Sequence, residues 1–241
     1  MSNAFHAWRI DDHTCGLREL EQMNCCNNPQ CQGIEETFTD QWAVEELKTY
    51  RNKGPNKTTR LLLNAIREQG VKDASLLDIG GGIGAIQLEL LQAGVARVTN
   101  VDASPAYSQT AREEAARRGW ADRIHYHVGN FVDVSPSLDD MDIVTLDRVI
   151  CCYDDMNALV RASVSRTKRM YGVVFPKDVW WVKLGMGLFN QLQRLFRKPF
   201  HLFAHSTAEV DSLVREKGFE RVFTHRGLFW QVIVYTRPSN A

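Results

Sequence analysis

Short apolar runs alternate along the chain with segments of helical periodicity. The apolar runs predict buried strands over residues 75–79, 97–101, 123–128, 142–146 and 171–175. Between the runs, apolar residues recur every three or four positions, which predicts helices over residues 85–93, 105–118 and near 155–167. Strands separated by helices in this way predict a parallel sheet that is covered on both faces.

The N-terminal part precedes this alternation. Residues 1–40 have no clear period, so we expect them to be irregular. Helices are predicted from residue 41 to the stop signal Lys53-Gly54-Pro55, and from Lys57 to Gln69. We therefore expect residues 1–56 to form an irregular and helical N-terminal extension.

The C-terminal part changes the pattern again. A long aromatic and basic segment follows Pro176, and a helix is predicted near residues 207–217. Two final apolar runs, separated by Arg226-Gly227, predict a β-hairpin. We expect residues 57–241 to form one α/β domain, with a mostly parallel seven-stranded sheet that ends in an antiparallel hairpin.

The composition is that of a globular protein without a charge bias. Lysine and arginine (29) balance aspartate and glutamate (29), and 44% of the residues are hydrophobic. Without a basic excess, binding to a phosphate backbone is not expected. No uncharged run approaches the roughly 20 residues of a membrane span, and the first residues lack the pattern of a secretion signal. We expect a cytoplasmic protein with no nucleic-acid partner; the sequence leaves its oligomeric state open.

The six cysteines fall into two groups. They are Cys15, Cys25, Cys26 and Cys31 near the N-terminus, and the adjacent pair Cys151 and Cys152. Without a secretion signal, a disulfide framework is not expected. The N-terminal group has no C-x-x-C pair and matches no standard zinc module. We expect these cysteines to act as small buried apolar residues and predict no metal, with a zinc site as the open alternative.

A glycine-rich turn follows the first strand of the predicted sheet. The segment reads Asp78-Ile79-Gly80-Gly81-Gly82-Ile83-Gly84. Glycines lack a Cβ atom and let a ligand approach the backbone, and the N-terminus of the following helix attracts a negative group. Asp102 ends the next strand, where a carboxylate can accept hydrogen bonds from ribose hydroxyls. These features predict a nucleoside-containing ligand at the carboxyl edge of the sheet.

The glycine turn alone is compatible with two classes of ligand. Gly80, Gly82 and Ala85 satisfy the G-x-G-x-x-A pattern of dinucleotide-binding proteins, and Asp102 lies near the required spacing. An NAD(P)-dependent oxidoreductase is therefore one interpretation. The glycine turn alone does not distinguish a dinucleotide from another nucleoside-containing ligand, so the residues around the turn are needed to choose between them.

The surrounding motifs resemble those of class I S-adenosylmethionine-dependent methyltransferases. The segments that carry the resemblance are Leu77–Gly84, Val101-Asp102-Ala103-Ser104, Gly129-Asn130-Phe131 and Val144-Thr145-Leu146-Asp147-Arg148. The terminal hairpin is similar to the antiparallel last strand of that family. The resemblance covers roughly residues 57–237 and implies a Rossmann-like fold with S-adenosylmethionine as the cofactor.

The resemblance also implies the residues that bind the cofactor. They are Asp78, Gly80, Gly81, Gly82, Gly84, Asp102, Ala103, Asn130, Phe131 and Asp147. Asp78 is expected to face the ammonium group of the methionine tail, and Asp102 to bind both ribose hydroxyls. Asn130, beside Phe131, replaces the aspartate that usually meets the adenine amine. Its amide oxygen can still accept that N–H with less charge assistance, so we expect weaker cofactor binding.

The C-terminal half is more distantly similar to the magnesium-protoporphyrin O-methyltransferases, which methylate a propionate carboxyl group. The similar segments are Phe175-Pro176-Lys177-Asp178-Val179-Trp180, Phe203-Ala204-His205 and Gly218-Phe219. The intervening insertion offers a substrate cover made of Trp180, Trp181, Phe189, Phe196 and Phe200, with Arg194, Arg197, Lys198 and His201 available to a carboxylate. The alternative is an amphipathic helix packed on the sheet with a solvated basic face. Cys151-Cys152-Tyr153-Asp154 departs from that branch after the fourth strand.

Two polar residues are candidates for direct catalytic involvement. Tyr153 and His205 are expected nearest the transferred methyl group, although each also suits a structural role. Cys151 and Cys152 either line the acceptor pocket or fill the sheet edge. Residues 50–55 form either a lid hinged at Gly54 or a plain helix connection.

The predicted function is S-adenosylmethionine-dependent methylation of a small or medium organic acceptor. O-methylation of a carboxylate is the favoured subtype, because positioning alone suffices for an acceptor that is already ionised. The alternatives are an NAD(P)-dependent oxidoreductase and a non-catalytic S-adenosylmethionine-binding protein.

Overall fold

One seven-stranded sheet organises the protein in the computed structural model, which describes residues 29–238. The strands are β1 (Ser75–Ile79), β2 (Arg97–Asp102), β3 (Ile124–Val128), β4 (Met141–Asp147), β5 (Thr167–Pro176), β6 (Glu220–Arg226) and β7 (Trp230–Thr236). The helices are α1 (Pro29–Thr37), α2 (Asp40–Lys53), α3 (Lys57–Glu68), α4 (Ala85–Gln92), α5 (Pro105–Arg117), α6 (Phe131–Val134), α7 (Met156–Ser165), α8 (Trp180–Leu195) and α9 (Thr207–Arg215).

The strand order places a crevice at the end of β1. The order across the sheet is β3-β2-β1-β4-β5-β7-β6, with parallel pairing from β3 to β5 and antiparallel pairing of β7 with both β5 and β6. The predicted fold class, with its mostly parallel sheet and terminal hairpin, is confirmed. The chain passes from β1 to β2 on one side and returns to β4 on the other, and ligands bind at such switch points in α/β sheets.

Helices cover both faces of the sheet because neighbouring strand residues point to opposite sides. Leu76 packs in the cluster that contains Leu62 of α3 and Leu88 of α4. Leu77 packs in the opposite cluster, which contains Leu159 of α7 and Val210 of α9. Both leucines of β1 are fully buried, so the central strand is anchored from both sides.

Two segments differ from the predicted elements. Residues 29–37, which we expected to be irregular, form α1, and a Cβ on its Gly33 would lie 2.6 Å from the backbone nitrogen of Phe200. Tertiary packing, rather than a local pattern, therefore stabilises this helix. Strand β5 begins at Thr167, four residues before the predicted start at residue 171. The prediction began late because the exposed Lys168 and Arg169 interrupt the apolar run.

The proposed division of the chain at residue 56 stays a prediction. Asn56 caps α3 by accepting hydrogen bonds from the N–H groups of Thr58 and Thr59, both at 3.1 Å.

None of the helices in residues 29–238 is long and apolar enough to cross a membrane.

Candidate functional site

The glycine turn between β1 and α4 is shaped by its immediate neighbours. A Cβ on Gly81 would lie 2.0 Å from Nδ2 of Asn100, so the protein itself leaves no room for a side chain there. Gly82 has a left-handed φ of 55°, and a Cβ at this position would meet only the Tyr107 ring, at 3.5 Å. The space at Gly82 is therefore open to a ligand, whereas Gly81 is required by packing.

Asp102 holds this turn with both carboxylate oxygens. Oδ2 accepts the Gly82 N–H at 2.8 Å, and Oδ1 accepts the Ser104 N–H at 2.8 Å. Burial raises the pKa of Asp102, and the two backbone hydrogen bonds oppose that increase. Each oxygen keeps a lone pair with which it can accept a further hydrogen bond, as recognition of a ribose diol requires.

Asp78 has one satisfied oxygen and one without a partner. Its Oδ1 accepts the Thr145 hydroxyl at 2.7 Å, while its buried Oδ2 has no hydrogen-bond partner within residues 29–238. Burial raises the pKa of Asp78 to about 7, and the nearby Asp147 and Asp102 add to the effect. A buried carboxylate oxygen without a partner is costly, and a ligand ammonium group would satisfy it.

A cavity of about 500 Å³ opens at this edge of the sheet. Its volume lies in the range of small-molecule sites. The predicted site residues that line it are Asp78, Gly80, Gly81, Gly82, Asp102, Ala103, Asn130, Phe131, Asp147 and Tyr153. Gly84 and His205 do not line this cavity. Gly84 instead precedes α4 with a left-handed φ of 84°.

Asn130 and Tyr153 are joined inside the cavity. The Tyr153 hydroxyl donates to Oδ1 of Asn130 at 2.8 Å, and the Val132 N–H donates to the same oxygen at 3.2 Å. The Asn130 amide nitrogen donates to Asp133 at 2.9 Å. Both lone pairs of the amide oxygen are thus used within the protein, which differs from the expectation that this oxygen is available to an adenine amine.

His205 lies behind Tyr153 rather than in the cavity. Its Nε2 donates to the Tyr153 carbonyl oxygen at 2.8 Å, and its ring stacks on Phe203. Burial lowers the pKa of His205, which keeps the imidazole neutral at neutral pH. The contact positions the Tyr153 backbone.

Several cavity residues, among them Glu46 and Arg148, were missed by the sequence analysis. Nε of Arg148 donates to the predicted site residue Asp147 at 3.1 Å, and the Thr59 hydroxyl donates to the same carboxylate. Glu46 of α2 also lines the cavity and accepts the Tyr107 hydroxyl at 3.0 Å. Arg148 adopts a left-handed φ of 64°, which turns it toward the cavity and has no signal in the sequence. The fourth-strand motif did contain Arg148, but its residue type alone indicated no role.

The expected substrate cover is built differently. Among its five aromatic residues, only Phe200 lines the cavity. Helix α8 turns Val182 and Met186 inward against Cys151. The aromatic residues of the helix, Trp180, Trp181 and Phe189, do not line the cavity. The basic residues expected to meet a carboxylate also lie outside the cavity; they are Arg194, Arg197, Lys198 and His201.

The cysteines divide between the cavity and the N-terminal residues that precede the described part of the chain. Cys151 and Cys152 line the cavity as free thiols, with sulfur atoms 3.7 Å apart. Cys31 also lines the cavity and is disulfide-bonded, whereas the sequence analysis expected no disulfide framework. No cluster of metal-ligating side chains occurs between residues 29 and 238, and Cys15, Cys25 and Cys26 lie outside that range.

The segment proposed as a lid borders the cavity. Tyr50, Gly54 and Pro55 line it, and Gly54 has a left-handed φ of 71° with open space where a side chain would be. Arg51 points away and bonds Glu114 at 2.6 Å, which pins α2 to α5. The geometry allows a hinge at Gly54 and equally a fixed connection.

Comparison with known proteins identifies the domain. Residues 77–170 match the family model described as a methyltransferase domain. The ribosomal protein L11 methyltransferase of Escherichia coli O8 is 29% identical over 75 residues, which are 31% of this chain and 26% of that protein. The enzyme of the same name from Clostridium perfringens strain 13 is 28% identical over 99 residues, 41% of this chain and 31% of that protein. The match therefore spans less than a third of these relatives.

Solved structures agree on the fold. The magnesium protoporphyrin IX methyltransferase of Synechocystis PCC 6803 with bound S-adenosylhomocysteine has a TM-score of 0.66 at 15% identity, covering 87% of this chain and all of that one. The cyclase SpnF has a TM-score of 0.57 at 13% identity, covering 75% of this chain and 81% of that one. Residues 77–170 are thus a methyltransferase domain, in a chain with the fold of the class I S-adenosylmethionine-dependent methyltransferases, as the motifs predict.

Proposed function

We propose that this protein transfers the methyl group of S-adenosylmethionine to a carboxylate oxygen of a largely apolar organic acceptor. The observation that carries the proposal is a guanidinium group with free terminal nitrogens in a cavity that has many apolar residues in its lining. Arg148 uses Nε for Asp147, and its two terminal nitrogens have no partner in the described part of the chain. A guanidinium with free N–H groups binds a carboxylate well.

The lining of the cavity suits an apolar acceptor. Its mostly apolar residues include Val149, Cys151, Cys152, Tyr153, Phe200, Leu202 and Trp230. Such side chains exclude water and leave the acceptor few polar contacts beyond Arg148. An acceptor with one carboxylate and an apolar body matches this surface.

The residues of the turn fit the cofactor implied by the fold. Asp78 would face its ammonium group, Asp102 its ribose, and the open backbone at Gly82 its methionine tail. When bound, S-adenosylmethionine supplies an electrophilic methyl group on a positively charged sulfur.

Tyr153 keeps its hydroxyl proton in this proposal and donates it in a hydrogen bond to Asn130. Burial raises its pKa, so the phenol stays protonated at neutral pH and cannot take a proton from the acceptor. His205 acts through the Tyr153 backbone, as a positioning residue. A carboxylate acceptor needs no general base, because it is ionised before the methyl transfer begins.

A methyl-transfer assay tests the proposal. The full-length protein is incubated with methyl-labelled S-adenosylmethionine and either magnesium protoporphyrin IX or simpler apolar carboxylic acids. We expect label in a product that mild base hydrolyses, as it does a methyl ester. Label that is stable to base would mean a methyl ether or an N-, S- or C-methyl product and would contradict a carboxylate acceptor.

The Arg148→Gln variant separates the two ligands. If Arg148 binds the acceptor, the KM for the acceptor rises at least about tenfold while the affinity for S-adenosylhomocysteine is unchanged. An equal loss of S-adenosylhomocysteine affinity would assign Arg148 to the cofactor instead.

We also propose that no nucleic acid is a partner, since the charges of the chain balance.

A further inference from the structure

Helix α8 exposes a continuous apolar stripe to solvent. The exposed fractions are 76% for Trp180, 67% for Leu184, 64% for Leu188 and 74% for Leu195. Their spacing of four, four and seven residues places them on one line along the helix. Leu192 and Phe196 are exposed beside this line. Contiguous apolar surface of this kind marks an interaction site in a folded protein.

Within residues 29–238, no other part of the fold covers this stripe. The opposite face of α8 already anchors the helix, because Val182 and Met186 are buried. A second element exposes an apolar residue next to α8. Trp181 contacts Phe229 of the β6–β7 connection with ring centroids 6.3 Å apart, and Leu228, which precedes Phe229, is 82% exposed.

Positive charges border the apolar stripe. Lys183, Arg194, Arg197 and Lys198 are all exposed. No aspartate or glutamate occurs between residues 179 and 208. Asp178 precedes the helix, but its carboxylate accepts the Thr207 hydroxyl at 3.0 Å.

We propose that this face of α8 docks the protein on an anionic lipid surface. An apolar face bordered by lysine and arginine is the pattern of a helix that lies in the membrane interface. Trp180 stands at one end of the stripe, and tryptophan favours the headgroup level. At 16 residues, α8 is about 24 Å long, so it can lie along the surface but not span the bilayer.

Charge complementarity favours lipid over a second copy of this chain. Two copies meeting through the stripe would bring their basic residues together without an acidic partner on α8. Anionic headgroups would instead neutralise these residues and accept the leucine side chains below them. The inner face of α8 packs on Cys151, so docking would also bring the apolar end of the cavity near the lipid.

Vesicle sedimentation of the full-length protein tests this proposal. We expect binding to vesicles of equimolar phosphatidylcholine and phosphatidylserine, weaker binding to pure phosphatidylcholine, and a decrease as salt is added. The double variant Leu184→Gln/Leu188→Gln should bind the anionic vesicles at least about tenfold more weakly. Lys183→Gln/Arg194→Gln should lose the preference for phosphatidylserine.

The matched control is Trp42→Gln/Val44→Gln on α2, where two exposed apolar side chains lie outside the stripe. It should bind vesicles like the unmodified protein. An absence of binding, or equal binding by the leucine variant and the control, would overturn the proposal. So would a concentration-dependent dimer that the leucine variant abolishes. A fall in unfolding free energy in that variant, without lipid binding, would mean that another part of the chain covers the stripe.

Discussion

Asp78 links cofactor binding to pH. Its pKa of about 7 means that a substantial fraction of the carboxyl groups is protonated below neutral pH, and a neutral carboxyl cannot pair with an ammonium group. Binding of S-adenosylhomocysteine should therefore release a proton in acid, strengthen as the pH rises through 7, and level off above it. Calorimetry over that range measures the effect. Asp78→Asn should bind more weakly and without this pH dependence; an unchanged profile would contradict the assignment.

Asp102 is expected to contribute both to the ligand and to the turn. Asp102→Ala removes the acceptor for ribose hydroxyls and the hydrogen bond that fixes Gly82. We expect the affinity for S-adenosylhomocysteine to fall at least about tenfold, or about 1.4 kcal/mol. Asp102→Asn keeps one carbonyl oxygen, so its affinity should lie between that of Asp102→Ala and that of the unmodified protein. Calorimetric affinities that match the unmodified protein would count against the ribose contact.

The glycine turn offers a matched pair of variants at the scale of the element. A Cβ at Gly82 would touch only the Tyr107 ring in the cavity, whereas Gly70, which does not line the cavity, has a left-handed φ of 80° and open space around it. Gly82→Val and Gly70→Val should therefore pay similar backbone strain. Only Gly82→Val should lose S-adenosylhomocysteine binding, as measured by thermal shift. Loss in both variants would point to general unfolding.

The contact between α2 and α5 depends on one buried carboxylate. Hydrogen bonds from Arg117, then from Arg51 and Arg118, hold the pKa of Glu114 at about 2, against the opposing effect of burial. Because this pKa lies below its unfolded value of 4.5, the stabilisation is complete above pH 4.5 and disappears as the pH falls through 2.

Glu114→Gln should lower the free energy of unfolding by about 2 kcal/mol at neutral pH, because it leaves three guanidinium groups without a charged partner. The difference from the unmodified protein should vanish near pH 2, as urea denaturation at several pH values would measure. A constant difference across that range would contradict the role of the charge. Glu113→Gln, on the exposed side of α5, is the control.

The elements with a clear period could be predicted from the sequence, and those stabilised by distant contacts could not. β1 was predicted with its observed bounds because its five residues are all buried. α1 was missed because packing against Phe200 stabilises it. For α8, the amphipathic alternative anticipated the helix, but the pattern could not indicate which apolar face turns inward.

The same limit applies to the site. The motifs predicted most cavity residues of the turn and of the strand ends, since these follow directly from chain order in a parallel sheet. Arg148 depends on a left-handed backbone and Glu46 on the placement of α2, and neither has a local signal. Tyr153 and His205 were both expected near the transferred methyl group. His205 does contact the Tyr153 backbone, but its side chain does not line the cavity.

At the scale of the whole molecule, ligand preference separates the two nucleoside-binding classes. S-adenosylhomocysteine should raise the melting temperature, because a ligand that binds only the folded state stabilises it. NAD and NADP should have no effect at equal concentration. Stabilisation by a dinucleotide alone would favour an oxidoreductase that shares the fold.

One glutamine joins three parts of the molecule around the cavity. The Gln30 amide nitrogen of α1 donates to the carbonyl oxygens of Cys152 and His201 at 2.9 and 2.8 Å. Because Gln30 and Phe38 also form part of the cavity wall, α1 cannot swing outward while both contacts persist. If spent cofactor leaves past this helix, the residence time of the product depends on how often the Gln30 hydrogen bonds and the packing of Gly33 on Phe200 open together.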